Sequence, residues 1–377
     1  MLIENHIRLS RSDVGKDELV QLEKVVNEGY LGIGEFVKEF EKRIKNFLQT
    51  DKEVICVNSG TAALHLALQA AGITSGDEVL VPSITYVATY QAISATGAIP
   101  ISCDVLRKNM FLDCVDAKKR LTTRTKAIVP VHYGGSSIGV QNIYNFANAN
   151  GLRVIEDAAH SFGSERDQKK VGADGDILCF SFDGIKNITC GEGGAILSGD
   201  KKIIERVKDS RLLGVSKDSD QRYKGKRSWM FDVKSQGWRY HMSNINAAIG
   251  MAQLDNCIQK FRHKKLLADK YIKALENIDE IELLDIFSKN TVNHIFPILV
   301  KNDIRDKLRE FLASEKIETG IHYQPNHKLS LYKSNYSLPV SEDLSRRVIS
   351  LPFHSLLTLD EQKYVLQKIK NFFAIYN

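Results

Sequence analysis

Short runs rich in β-branched residues alternate with helical patterns through the first two thirds of this 377-residue chain. EVICVNSG reads as a strand entering a turn, and TAALHLALQAAG as the helix that follows. DEVLVPS, PISCDV, KAIVPVHYGG, RVIEDAAH, ILCFSF and AILSGD repeat the strand signal, each bounded by turn residues. Strands spaced by helices imply a mostly parallel sheet covered on both faces. The expected class is α/β, with polar groups gathered beyond the carboxyl ends of the strands, where such folds bind ligands.

The pattern changes at about Asn244. NINAAIGMAQLDNCIQKFRHKKLLADKYIKALENI reads as one long helix, with a hinge expected near Gly250. NHIFPILV, the helix-like DIRDKLREFLASEKI, and the closing EDLSRRVIS and LDEQKYVLQKIKNFF follow it. A chain of this length suggests two domains, or one large domain with an appendage. The expected division is a large domain over 1–254, N-terminal segment included, and a smaller α/β domain over 255–377.

Composition narrows the function class. Hydrophobic content of 43% and charged content of 26% are those of an ordinary soluble protein. No apolar run reaches the roughly eighteen residues of a membrane span, and MLIENHIRLSRSD lacks a signal-peptide core. Six cysteines without a CxxC pair read as reduced and packed, which places the protein in the cytoplasm. A net charge of +6 suits a phosphorylated small substrate better than nucleic acid, which calls for a concentrated basic stripe. The densest basic stretch, KGKRSW with Lys224 and Arg227, reads equally as a solvated loop or an anion contact.

Three segments carry candidate chemistry. In NSGTAAL, a strand, a turn and a helix opening around Gly60, Thr61 and Ala62 would expose backbone N–H groups, which is either a phosphate site or a simple cap. Asp157 ends a strand in VIEDAAHSFG, where its carboxylate could pair with a protonated ring nitrogen or cap the next segment. Lys186 lies in SFDGIKNITCGEGGA, whose glycines mark a backbone that turns tightly or approaches a ligand. Ser181, at a strand end in the same segment, could donate to a phosphate. A lysine amine for an aldehyde and a carboxylate for a pyridine nitrogen are the two groups that pyridoxal phosphate (PLP) needs.

These segments, in order with GYLGIGEFVKEFE, GDEVLVPSITYVATYQAI, PVHYGG, NINAAIGMAQL, HYQPNH and SLPFH, resemble the sugar aminotransferases of the DegT/DnrJ/EryC1/StrS family over nearly the whole chain. The resemblance implies the PLP-dependent transferase fold of type I, with PLP and its amine form (PMP) as cofactor. It implies that Lys186 bonds the cofactor and shuttles protons, and that Asp157 pairs with the pyridine nitrogen. His160 would bond the ring's phenolic oxygen, Tyr86 would stack on the ring, and Gly60, Thr61, Ala62 and Ser181 would hold the phosphate. Relatives often read GYNYRM, whose Asn reaches the neighbouring subunit's cofactor phosphate; here GWRYHM puts Arg239 at that position and His241 at the Arg position.

The implied reaction moves an amino group from L-glutamate to a nucleotide-linked keto sugar, most often a 4-keto-6-deoxyhexose and less often a 3-keto sugar, at a homodimer interface. The setting would be amino-sugar or surface-polysaccharide biosynthesis. Tyr30, Lys224, Arg227, His322 and Tyr323 are the substrate-side candidates. Two alternatives stay open: a PMP-dependent sugar dehydratase, in which His replaces the Lys, and a non-catalytic PLP-binding regulator. His65 reads as packing. No metal is expected at His132 or in HYQPNH, because no carboxylate or cysteine stands at ligand spacing.

Overall fold

The computed structural model describes residues 6–226, 229–301 and 304–376. Its strands are β1 (Glu53–Val57), β2 (Glu78–Pro82), β3 (Ile99–Cys103), β4 (Thr125–Ile128), β5 (Arg153–Asp157), the short pair β6 (Glu165–Arg166) and β7 (Lys169–Lys170), β8 (Ile177–Ser181), β9 (Gly194–Ser198), β10 (Ile281–Leu283), β11 (Phe296–Val300) and β12 (Val348–Leu351). Seven of them form the main sheet in the order β1-β9-β8-β5-β4-β2-β3. All pairs from β8 to β3 are parallel, while β9 runs antiparallel between β1 and β8. This is the mostly parallel α/β sheet expected of a type I fold.

Side chains alternate across the sheet as strand geometry requires. Ile55 and Val57 face a core shared with the helix Gly60–Ala70, while Val54 and Cys56 face one built on Phe40, Phe180 and Phe182. With both faces covered, β2, β8 and β9 are buried along their whole length, which is why their sequences read as unbroken apolar runs. The antiparallel β10-β11-β12 sheet forms a second core with the helices Arg305–Ser314 and Leu359–Tyr376.

The helix Asn244–Leu275 joins the two cores. Met251, Leu254, Cys257 and Phe261 pack beneath the large sheet, and Leu267, Tyr271 and Leu275 pack on the small one. The expected division at 254/255 thus falls inside a continuous helix. The N-terminal segment, expected with the large unit, has its first described residues on the small one: Ile7 bridges Ile317 and sits in the second core. No break falls at Gly250, where a hinge is expected, for the helix Asn244–Leu275 continues through it. A Cβ there would lie 2.5 Å from Phe40 Cζ and 2.6 Å from Cys190 Sγ, so close packing and not bending calls for the glycine.

Gly250→Ala therefore lowers stability by about 1–3 kcal/mol through overpacking, even though alanine is the better helix former by about 1 kcal/mol. Urea unfolding of the cofactor-free protein measures this, and an unchanged or raised midpoint would contradict it.

Candidate active site

The carboxyl ends of β1, β2, β5 and β8 open onto a cavity of about 500 Å³. Its lining includes Gly60, Thr61, Tyr86, Asp157, His160, Ser181, Lys186, His322 and Tyr323, so nine of the residues singled out in the sequence meet in one place. Among the described residues no group of three or more His, Cys, Asp or Glu side chains is disposed to hold a metal ion.

One end of the cavity is built from backbone. Ser59 caps the helix Gly60–Ala70, its Oγ accepting from Ala62 N–H at 3.1 Å. Ala62 is thereby engaged behind the turn, while Gly60 and Thr61 face the cavity. A Cβ at Gly60 would lie 2.7 Å from Ser181 Cβ, and one at Gly194 would collide with Ser59 O. Only glycines let β9 and the helix start close on Ser181. The product is a hydroxyl beside open helix N–H groups, a cradle for an anion.

At the other end Asp157 is only 5% exposed. Its Oδ2 accepts from Thr89 Oγ1 at 2.8 Å and its Oδ1 from Ala159 N–H at 3.2 Å. Burial raises its pKa, against the pull of these two donors and of Lys186. A carboxylate so placed gains most from a cationic partner inside the cavity.

Lys186 rides on the loop that carries β8 round into antiparallel β9. Phe182 N–H donates to Gly193 O at 2.8 Å and Cys190 N–H to Phe182 O at 2.9 Å, clamping the base of this loop. Burial lowers the Lys186 pKa to about 8, although Asp183 and Asp157 pull it back up. Its Nζ lies 3.4 Å from His294 Nε2.

His160 Nδ1 accepts from Gly134 N–H at 3.3 Å, which leaves the ring proton on Nε2, 3.0 Å from Tyr323 Oη. Burial, then Lys186, holds His160 well below the usual histidine range, so it is neutral. Burial also raises the Tyr323 phenol, which stays protonated. Tyr133 Oη donates to His322 O, and His322 Nδ1 meets Ser350 Oγ at 2.8 Å. Tyr86 is exposed at the mouth, its ring 6.0 Å from that of Tyr323.

The remaining candidates among the described residues lie outside this cavity. Tyr30 lines a separate surface recess with Lys226 and Trp229. Lys224 is in an exposed turn, and Arg227 lies outside the described residues. Arg239 is exposed, its backbone bridging Leu212. The sequence reading missed Thr89, His294 and Lys264. Lys264 is buried on the long helix, its Nζ donating to Asn187 Oδ1 at 2.8 Å, and burial followed by repulsion from Lys186 lowers its pKa to about 7.

With a pKa near 8, about half of the Lys186 amines are neutral at that pH, against well under a hundredth for an ordinary lysine. In cofactor-free protein, its acylation relative to surface lysines rises with pH up to a plateau somewhat above pH 8. Competitive labelling read by mass spectrometry checks this; titration at the ordinary lysine value would contradict it.

The model of the DegT/DnrJ/EryC1/StrS aminotransferase family matches residues 12–370. The chain is 36% identical over 346 residues to the GDP-perosamine synthase of Escherichia coli O157:H7, covering 90% of this chain and 91% of that protein. It is 31% identical over 372 residues to the spore coat polysaccharide biosynthesis protein SpsC of Bacillus subtilis strain 168, covering 95% of each. The structure of the aminotransferase TlmJ from Streptoalloteichus hindustanus superposes with a TM-score of 0.92 at 28% identity, over 99% of this chain and 100% of that one. The fold, the cavity at its strand ends and these matches lead to one conclusion: the chain belongs to the DegT/DnrJ/EryC1/StrS aminotransferase family.

Proposed function

We propose that this protein is a PLP-dependent aminotransferase that moves the amino group of L-glutamate to a nucleotide-linked 4-keto-6-deoxyhexose in the cytoplasm, within amino-sugar biosynthesis for a surface polysaccharide. The observation that carries the cofactor assignment is the presence, in one cavity, of an amine whose pKa burial lowers to about 8 and a buried carboxylate with no ion pair among the described residues. The residues present fit PLP: Gly60, Thr61 and Ser181 would hold its phosphate and Asp157 its ring nitrogen. When bound, PLP supplies an aldehyde that takes up amines and a cationic ring that withdraws electrons.

The chain's own groups do the rest. Lys186, half-neutral near pH 8, can both take and return a proton at Nζ. Asp157, buried in the cavity wall, would hold the positive charge of a bound ring. Neutral His160 keeps Tyr323 in place by hydrogen bonding and offers no competing charge. His322 and Tyr323 line the same cavity and would stand on the substrate's side of it. The naming of GDP-perosamine synthase and of a spore coat polysaccharide protein among the relatives supports a nucleotide sugar and a polysaccharide setting. The 4-keto position rests on the family resemblance. Six free cysteines agree with a reducing compartment.

The active unit in this reading is a homodimer that completes the site. Trp229 and Met230 are 84% and 96% exposed in the single chain, with Phe231 and Val233 also exposed beside them, an apolar stretch that calls for a cover. Arg239 follows in the same segment and would reach the cofactor phosphate of the neighbouring subunit.

L-Glutamate is expected to abolish the visible absorption band of the PLP-loaded protein, and a nucleotide 4-keto-6-deoxyhexose to restore it. Lys186→Ala is expected to eliminate transfer. A band indifferent to glutamate, or turnover retained in Lys186→Ala, overturns the proposal. Arg239→Ala is expected to weaken PLP retention about tenfold, the loss of one charge-assisted contact; equilibrium dialysis showing unchanged affinity would remove Arg239 from the phosphate site.

A further inference from the structure

His294 stands just before β11, fixed by its backbone N–H donating to Gly134 O at 3.0 Å. Its ring is 5% exposed and lines the cavity. Nδ1 is enclosed without a hydrogen-bond partner among the described residues, and Nε2 has Lys186 Nζ at 3.4 Å. A ring placed there for packing alone would be better as a phenylalanine, since an enclosed imidazole nitrogen without a partner is a net loss. The amine of Lys186 is what the polar ring offers in return.

Among the described residues the hydrogen-bond contact of Lys186 Nζ is His294 Nε2, and the surrounding groups have partners of their own. His160 has both nitrogens engaged, by Gly134 N–H and Tyr323 Oη. His322 Nδ1 is held by Ser350 Oγ, and the Tyr323 hydroxyl by His160. Lys264 Nζ is engaged by Asn187 Oδ1 at 2.8 Å. Asp157 is committed to Thr89 and Ala159, and Asp183 Oδ1 accepts from Ile185 N–H at 3.3 Å. Burial and the nearby Lys186 hold His294 far below the usual histidine range, so its ring is neutral and can accept.

We propose that His294 is a positioning residue whose Nε2 accepts an N–H of Lys186 and keeps that amine aimed into the cavity whenever it is free of the cofactor. This rests on the reading of Lys186 as the reacting amine. An aminotransferase must release its lysine in every cycle and still find it in place for the proton it moves next. A four-carbon chain released without a partner samples many rotamers. A neutral acceptor restrains it without adding charge.

The test compares His294→Phe, which keeps a ring but no acceptor, with His294→Gln, whose carbonyl can accept. In cofactor-free protein, competitive acylation gives the Lys186 titration. In holoenzyme, kcat and KM are measured with glutamate and keto sugar. Losing the acceptor is expected to lower the Lys186 pKa and to reduce kcat about tenfold with KM little changed. His294→Gln is expected to stay within about threefold of the parent in kcat and to keep its titration. The proposal falls if His294→Phe leaves both unchanged, or if both variants lose activity alike while Lys186 titrates as before, which would mark packing alone. Should His294→Phe not fold, the ¹⁵N resonance of His294 Nε2 in the unaltered protein decides, since it must move as Lys186 titrates. Wild-type protein that transfers no amine would defeat the functional reading, while the cofactor-free titration still judges His294.

Discussion

Burial of one lysine amine opposite one buried carboxylate is the constraint on which this architecture turns. An ammonium taken out of water is costly, and it lowers its pKa unless a counter-charge compensates. Here the compensation is deliberately partial. Asp157 and Asp183 pull the Lys186 pKa up, burial pulls it down, and burial wins to the extent of a value near 8. Closer pairing with either carboxylate would lock the amine as ammonium. Complete isolation would leave it too weak a base to recover a proton. The cluster of neutral imidazoles at His160, His294 and His322 preserves that balance, because polar groups line the cavity there without adding cations.

The main sheet delivers the groups that this balance needs. Parallel strands put their carboxyl ends along one edge, so Asp157 on β5, in register with Cys179 on β8, and Ser181 two residues further along β8 both reach the cavity. The antiparallel turn from β8 into β9 then throws the Lys186 loop out over that edge and brings Gly194 back against Ser59. A parallel continuation would have needed a crossover helix and would have carried the loop away from the cavity. The single reversed strand thus has a local consequence, which is to hold lysine, serine and helix start together.

Lys186, Asp157, Ser181, Gly60 and Thr61 are legible in the sequence because each sits at the end of an apolar strand run or in a glycine-marked turn. Strand ends are local features, and a parallel sheet converts them into a shared edge. Thr89, His294 and Lys264 carry no such mark. Thr89 looks like any hydroxyl in a helix, and His294 is 108 residues from the lysine that it meets. Gly250 was ambiguous for a physical reason: glycine in a helix signals either a break or a close approach, and only the position of Phe40 decides. The docking of Ile7 on the second core was equally hidden, because a short exposed-looking segment gives no sign of which sheet it will join. Arg239 shows a different limit: its exposure in one chain becomes informative only when the apolar segment before it is seen to lack a cover.

The long helix explains why the site is not a property of the main sheet alone. Lys264 projects from it onto Asn187, the residue next to Lys186, and the Asn187 amide donates to the backbone oxygens of His160, Phe162 and Val292. One buried amide therefore ties together the lysine loop, the segment after β5 and the segment leading to His294. The same helix carries Leu267 and Tyr271 into the second core. A shift of the small unit relative to the large one would pull on Lys264, and through Asn187 on the backbone that presents Lys186. Because the interior is packed and Lys264 has little room to follow a displaced partner, the position of the Lys186 amine is set jointly by both cores.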